Sequence, residues 1–152
     1  MTLKQIPEFS QYIVEGNHGK SDYFAVIKRL ISQKGISAKD NAKNINALYQ
    51  LLLDEIKKNN NDPNQTISFG TSGWRGILGK DINVRTVAQV TQAIVEMYRG
   101  VEEDAELAEL LGITSLAEAQ KRGCVLGFDN RFAGDVLASV VAGVLIREGF
   151  AV

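Results

Sequence analysis

Residues Phe69–Asp81 read FGTSGWRGILGKD and hold four glycines, two hydroxyls, one arginine and the only tryptophan of the chain. Gly70, Gly73 and Gly76 recur every three residues and permit backbone conformations closed to other residues. The segment is therefore a loop, and regular elements have to be arranged before and after it. Glycine also lets backbone N–H groups approach an anion without a Cβ in the way. Thr71 and Ser72 add hydroxyl donors, and Arg75 adds a planar fork that suits the oxygens of a phosphate. The same spacing equally describes a tight turn between two strands, with Trp74 in the core and Arg75 solvated. Two nucleotide-binding loops are excluded. A Walker A loop ends Gly-Lys-Ser/Thr, whereas Gly79-Lys80 is followed by Asp81, and a dinucleotide fingerprint spaces its glycines two and three apart rather than three and three.

At 152 residues, with 45% hydrophobic and 23% charged content, the chain can build one globular core. A formal charge of -1 provides no global field for nucleic acid or an anionic membrane surface. A single cysteine excludes an internal disulfide and suits a reducing compartment. The N-terminal stretch MTLKQIPEFSQYIVEGNHGK lacks the apolar run of a signal peptide, and no segment approaches a membrane span. The expectation is a cytoplasmic protein.

Two regions separate at NNNDPN, Asn59 to Asn64, where Asn and Asp-Pro favour turns. Residues 1–64 are expected to be a helical N-terminal extension with its linker. Ser21 can cap a helix with Phe24, Ile27, Leu30 and Ile31 on one face, stopped near Gly35. A second helix from about Asn44 to Lys58 aligns Ile45, Leu48, Leu52 and Ile56, with Lys57 and Lys58 at its C-terminal end. Together they make a helical hairpin.

Residues 65–152 alternate. Thr66–Phe69 reads as a strand entering the glycine loop. Asn83 can cap a helix presenting Val84, Val87, Ala88, Thr91, Ile94 and Tyr98. Two short surface helices follow in the charged segment, the second marked by Ser115 and Glu118 at capping-box spacing. The acidic run Glu102–Glu106 suits a solvated helix start. Cys124–Phe128, CVLGF, reads as a buried strand, and Gly134–Glu148 as an apolar helix with Gly149 just past its end. Phe150–Val152 resembles the start of another strand, so the chain looks cut. This order defines an α/β sandwich with a partly parallel sheet.

GFDNRF, Gly127 to Phe132, lies where that strand meets its helix, the usual ligand edge of an α/β sheet. Asp129 has no second carboxylate beside it for acid–base work. It can pair with Arg131, and a buried or half-buried ion pair fixing the loop is the simpler role. His18 sits in the turn GNHGK with no Cys or His nearby to share a metal, and Cys124 reads as a small buried hydrophobe.

With ISFGTSGWRGILGKD followed by a helix, then GCVLGFDNRF and a helix ending EGF, the chain resembles the first domain of the α-D-phosphohexomutases, the phosphoglucomutase/phosphomannomutase family. The likeness covers Ile67 to Val152. It implies a three-layer α/β/α sandwich with a mixed, partly parallel sheet, here an incomplete domain I preceded by the helical segment. It also implies interconversion of hexose 1-phosphate and hexose 6-phosphate through a phosphoserine and a hexose 1,6-bisphosphate intermediate, with Mg2+ in the complete enzyme. By the same resemblance Arg75 is the loop arginine that approaches phosphate, Thr71, Ser72 and Gly73 shape that loop, and Asp129 and Arg131 support the catalytic region from behind.

The family's phosphoserine loop Thr-Ala-Ser-His-Asn-Pro, its magnesium loop Asp-Gly-Asp-x-Asp-Arg, its sugar-selecting Gly-Glu-x-Ser-Gly and its Arg-x-Ser-Gly-Thr phosphate loop do not occur among these 152 residues. No catalytic residue and no metal ligand is therefore assigned. The expected function is that of an N-terminal portion of a mutase, inactive by itself, which takes a hexose phosphate only when completed. The alternative is a non-catalytic module of the same ancestry that binds phosphate or a partner, with self-association through an exposed sheet edge or the helical extension. The Ser-Gly-Trp form resembles glucose and mannose members more than the glucosamine branch.

Overall fold

The computed structural model describes residues 11–14, 16–32 and 38–152. The chain divides into two compact units, one ending at Asn83 and one running from Val84 to Val152.

In the first unit, α1 spans Tyr23–Ser32 and α2 spans Ala38–Lys58, packed together as the expected hairpin. The α1 cap is Asp22, whose Oδ1 accepts the Ala25 N–H at 2.9 Å. Ser21 is not the cap. Its hydroxyl is buried against the preceding turn, accepting from Val14 N–H and donating toward the Val14 and Asn17 carbonyls. The buried face of α1 is Tyr23, Val26, Ile27 and Leu30. Phe24 and Ile31, expected inside, are exposed because the 23/26/27/30 stripe is the one turned to α2. On α2 the fully buried residues are Leu48, Leu52 and Ile56, one stripe at four-residue spacing. This helix starts six residues before the expected Asn44. The stop expected near Gly35 lies outside the described residues, as does the His18 side chain.

The expected linker is tied into the first unit. Asn59 is buried, its side-chain amide donates to Gly79 O at 2.7 Å, and its Oδ1 accepts from Asn61 N–H. Beyond it come two very short antiparallel strands, β1 (Phe69–Gly70) and β2 (Gly73–Trp74), in register Phe69 with Trp74 and Gly70 with Gly73. The strand expected over Thr66–Phe69 is reduced to its last residue.

The second unit is helical. Helix α3 (Val84–Arg99) follows the fully buried Asn83 and packs on α6 (Gly134–Arg147), while α4 (Ala105–Leu111) and α5 (Leu116–Arg122) are the two short helices expected in the charged segment. On α3 the buried residues are Thr86, Val87, Thr91 and Val95, and Ile94 falls at the edge of that stripe and is exposed. The core joins Val95, Val101, Ile113, Ala119, Leu145 and Phe150. Phe150 meets Tyr98 edge-on, with ring centroids 6.0 Å apart.

Cys124–Phe128 forms no strand. The Cys124 N–H donates to Ala151 O at 2.7 Å, but no ladder continues from it, and Val125 is 101% exposed and Phe128 64%. A strand is held by partners along its flank, and apolar side chains are buried only when a second layer covers them. Cys124 is correspondingly exposed rather than buried. Among the described residues the only sheet is the antiparallel β1–β2 pair, so the partly parallel sheet expected from the pattern is not formed there. No described helix is long and apolar enough to cross a membrane.

Candidate functional site

The glycine segment folds as a tight hairpin. Gly73 adopts φ +97°, a conformation that L side chains rarely take, and this turns the chain back from β1 into β2. Thr71 and Ser72 occupy the exposed tip. Arg75, the residue after β2, donates from Nη2 to Ser72 Oγ at 2.8 Å, and this contact is exposed. The hydroxyl and the guanidinium singled out in the sequence are thus brought together on the solvent side of one hairpin. Trp74 is half-buried, so it anchors the hairpin less deeply than a core tryptophan would.

Behind the hairpin lies a residue whose role the sequence reading missed. Asp81 is 1% exposed and receives backbone N–H groups from Asn64, Gln65 and Ile77. It is the one acidic residue between Asp62 and Glu96. A lone carboxylate among glycines and apolar residues was the signal available. Gly76 is required beside it, since a Cβ there would lie 2.6 Å from Asp81 Cβ.

In the second unit, Asp129 and Arg131 form the expected ion pair. Arg131 Nε donates to both carboxylate oxygens, at 3.0 and 2.9 Å, and the Arg131 backbone N–H donates to Oδ1 at 3.1 Å. The pair is exposed, not buried or half-buried, because no layer covers the neighbouring Gly127–Phe128. Hydrogen bonding from the Arg131 side chain, then from its backbone, holds the Asp129 carboxyl below its ordinary range, and the same contact raises the guanidinium. The following turn is tight. Ala133 takes φ +62°, and a Cβ on Gly134 would sit 2.9 Å from Asp129 O. The Ser72–Arg75 and Asp129–Arg131 pairs belong to different compact units.

Among the described residues no three His, Cys, Asp or Glu side chains are grouped so as to hold a metal ion. The described residues therefore offer no side-chain set fit to hold magnesium.

Residues 66–152 match the family model for phosphoglucomutase/phosphomannomutase, alpha/beta/alpha domain I. That match spans more than half of the chain, and the chain belongs to this family. Comparison with curated proteins and with solved structures gave no significant match.

Proposed function

We propose that this chain forms the phosphate-binding first portion of a phosphohexomutase, an enzyme that interconverts hexose 1-phosphate and hexose 6-phosphate. The observation that carries the reading is the Arg75–Ser72 contact, which holds a guanidinium and a hydroxyl together at the open end of a glycine hairpin. A phosphoryl group in transfer needs fixed positive charge and aligned donors around its oxygens, and an arginine fork supplies both. Thr71 adds a second hydroxyl at the tip, and Gly73 gives the turn that places it. Asp129 and Arg131 are read as supporting groups, because each already satisfies the other. The 152 residues carry no phosphoserine motif, so we read them as binding phosphate without turning it over.

Titration of the 152-residue protein with inorganic phosphate and with a hexose bisphosphate tests the reading. Binding is expected for both, and Arg75→Ala should weaken it by about 1.5–3 kcal/mol, the range of a hydrogen bond to a charged group. Equal affinity in variant and parent would remove Arg75 from the site.

A further inference from the structure

The hairpin that carries Ser72 and Arg75 is closed at its base by one carboxylate. Asp81 Oδ1 accepts the N–H groups of Asn64 at 2.8 Å and Gln65 at 3.3 Å, and Oδ2 accepts the N–H of Ile77 at 2.8 Å. Asn64 and Gln65 lead into the hairpin and Ile77 leads out of it, so both ends are held on the two oxygens of a single buried side chain. The contact continues one residue back along the chain. Gly76, bonded directly to Arg75, lies so close to Asp81 that a Cβ on it would come within 2.6 Å of the Asp81 Cβ.

Asp81 is itself firmly placed. Ile77 O accepts the N–H groups of Lys80, Asp81 and Ile82 at 3.1, 2.7 and 3.2 Å, which closes residues 77–82 into one compact turn. Asn59, the residue after α2, clamps that turn through its bond to Gly79 O at 2.7 Å. A carboxylate is the side chain that such a base requires. Both of its oxygens accept, whereas an amide would present an N–H group to one of the two backbone N–H sets.

From this we infer that Asp81 is the positioning residue of the anion-binding hairpin. It does not touch the anion, and it acts by holding the backbone from which Arg75 and Ser72 project. The link to anion affinity rests on the phosphate-binding reading; the fixing of the hairpin does not.

The test compares the isotope-labelled 152-residue protein with its Asp81→Asn and Gly76→Ala variants, using amide resonances and inorganic phosphate as the probe. Asp81→Asn is expected to shift the resonances of residues 70–77 while those of α3–α6 stay in place, and to weaken phosphate binding by about tenfold or more through lost preorganisation. Gly76→Ala leaves the carboxylate intact but drives a methyl group against the Asp81 Cβ, and the same two changes are expected. It also stands in if Asp81→Asn does not fold.

Parent-like phosphate affinity in either folded variant overturns the inference, whatever the hairpin resonances do, because Asp81 would then serve the fold alone. Failure of both variants to fold overturns it for the same reason. If the parent itself binds no phosphate while its hairpin resonances respond to Asp81→Asn, the phosphate reading falls and Asp81 stands as the residue that holds the hairpin.

Discussion

Two aspartates in this chain show how one side chain does different work in different surroundings. Asp81 is buried and meets backbone N–H groups, two of them from residues 16 and 17 positions earlier. Asp129 is exposed and meets a guanidinium two residues away. The second relation was legible in the sequence, because Asp-x-Arg in a loop brings opposite charges within reach. The first was not, because backbone donors carry no sequence signature and these come from a distant stretch. The Ser72–Arg75 contact lies between these cases, since both residues were singled out in the sequence as donors but not as partners of each other. Asp129 titrates below its ordinary range in the folded chain, so the stabilisation from its pair is present above the unfolded carboxyl pKa and is lost as pH falls through the lower folded value. Removing the donor should therefore move the midpoint upward. In Arg131→Ala the Asp129 carboxyl carbon, followed by NMR, should titrate at a higher pH than in the parent, while the backbone N–H of residue 131 still holds it below the ordinary range. A midpoint unchanged from the parent would show that the guanidinium is not its main stabiliser.

The helix ends of the second unit were legible because their capping groups are local, whereas the α1 cap fell one residue from the expected Ser21 and α2 began six residues early. Asp104 Oδ1 accepts from Leu107 N–H to start α4, and Ser115 Oγ accepts from Glu118 N–H to start α5. The return bond of the expected capping box is displaced by one residue. Glu118 reaches the backbone N–H and hydroxyl of Thr114 rather than the Ser115 N–H, and that backbone bond leads in holding its carboxyl below the usual range. At the end of α6, Phe150 N–H bonds Leu145 O and Gly149 N–H bonds Ile146 O, the paired bonds of a Schellman ending around a glycine at φ +85°. Helix faces were less legible. On α1 several apolar stripes compete in sequence, and only contact with α2 selects among them. The α6 ending yields a quantitative expectation. Gly149→Ala must place a Cβ 3.0 Å from Gln120 Nε2 while keeping a left-handed backbone. Urea unfolding should show a loss of about 1–2 kcal/mol, the cost of the left-handed region for an L residue. A variant as stable as the parent would mean that the helix ends differently in solution.

At the scale of the molecule, pattern and tertiary structure part company over the strands. CVLGF is as apolar as a buried strand, yet burial depends on neighbours that a short run cannot specify, and in this structure Val125 and Phe128 face outward. The order of motifs survives that difference, since it identified the family that the match over residues 66–152 shows. Belonging to a family of enzymes still leaves two roles for these 152 residues, a binding wall or a working catalyst. The proposed reading is the binding wall, on chemical grounds. Transfer between two positions of a sugar needs a nucleophile that accepts and returns the phosphoryl group. The hairpin instead offers donors: Arg75 cannot accept a phosphoryl group usefully, and the Ser72 hydroxyl has no histidine or carboxylate bonded to it among the contacts of the hairpin. Incubated alone with glucose 1-phosphate or mannose 1-phosphate, the 152-residue protein should therefore yield no 6-phosphate product in a coupled assay, while it retains phosphate binding that Arg75→Ala weakens. Product formation that disappears in Ser72→Ala would overturn this, because it would make the tip hydroxyl a nucleophile and the hairpin a catalytic centre rather than a wall of one.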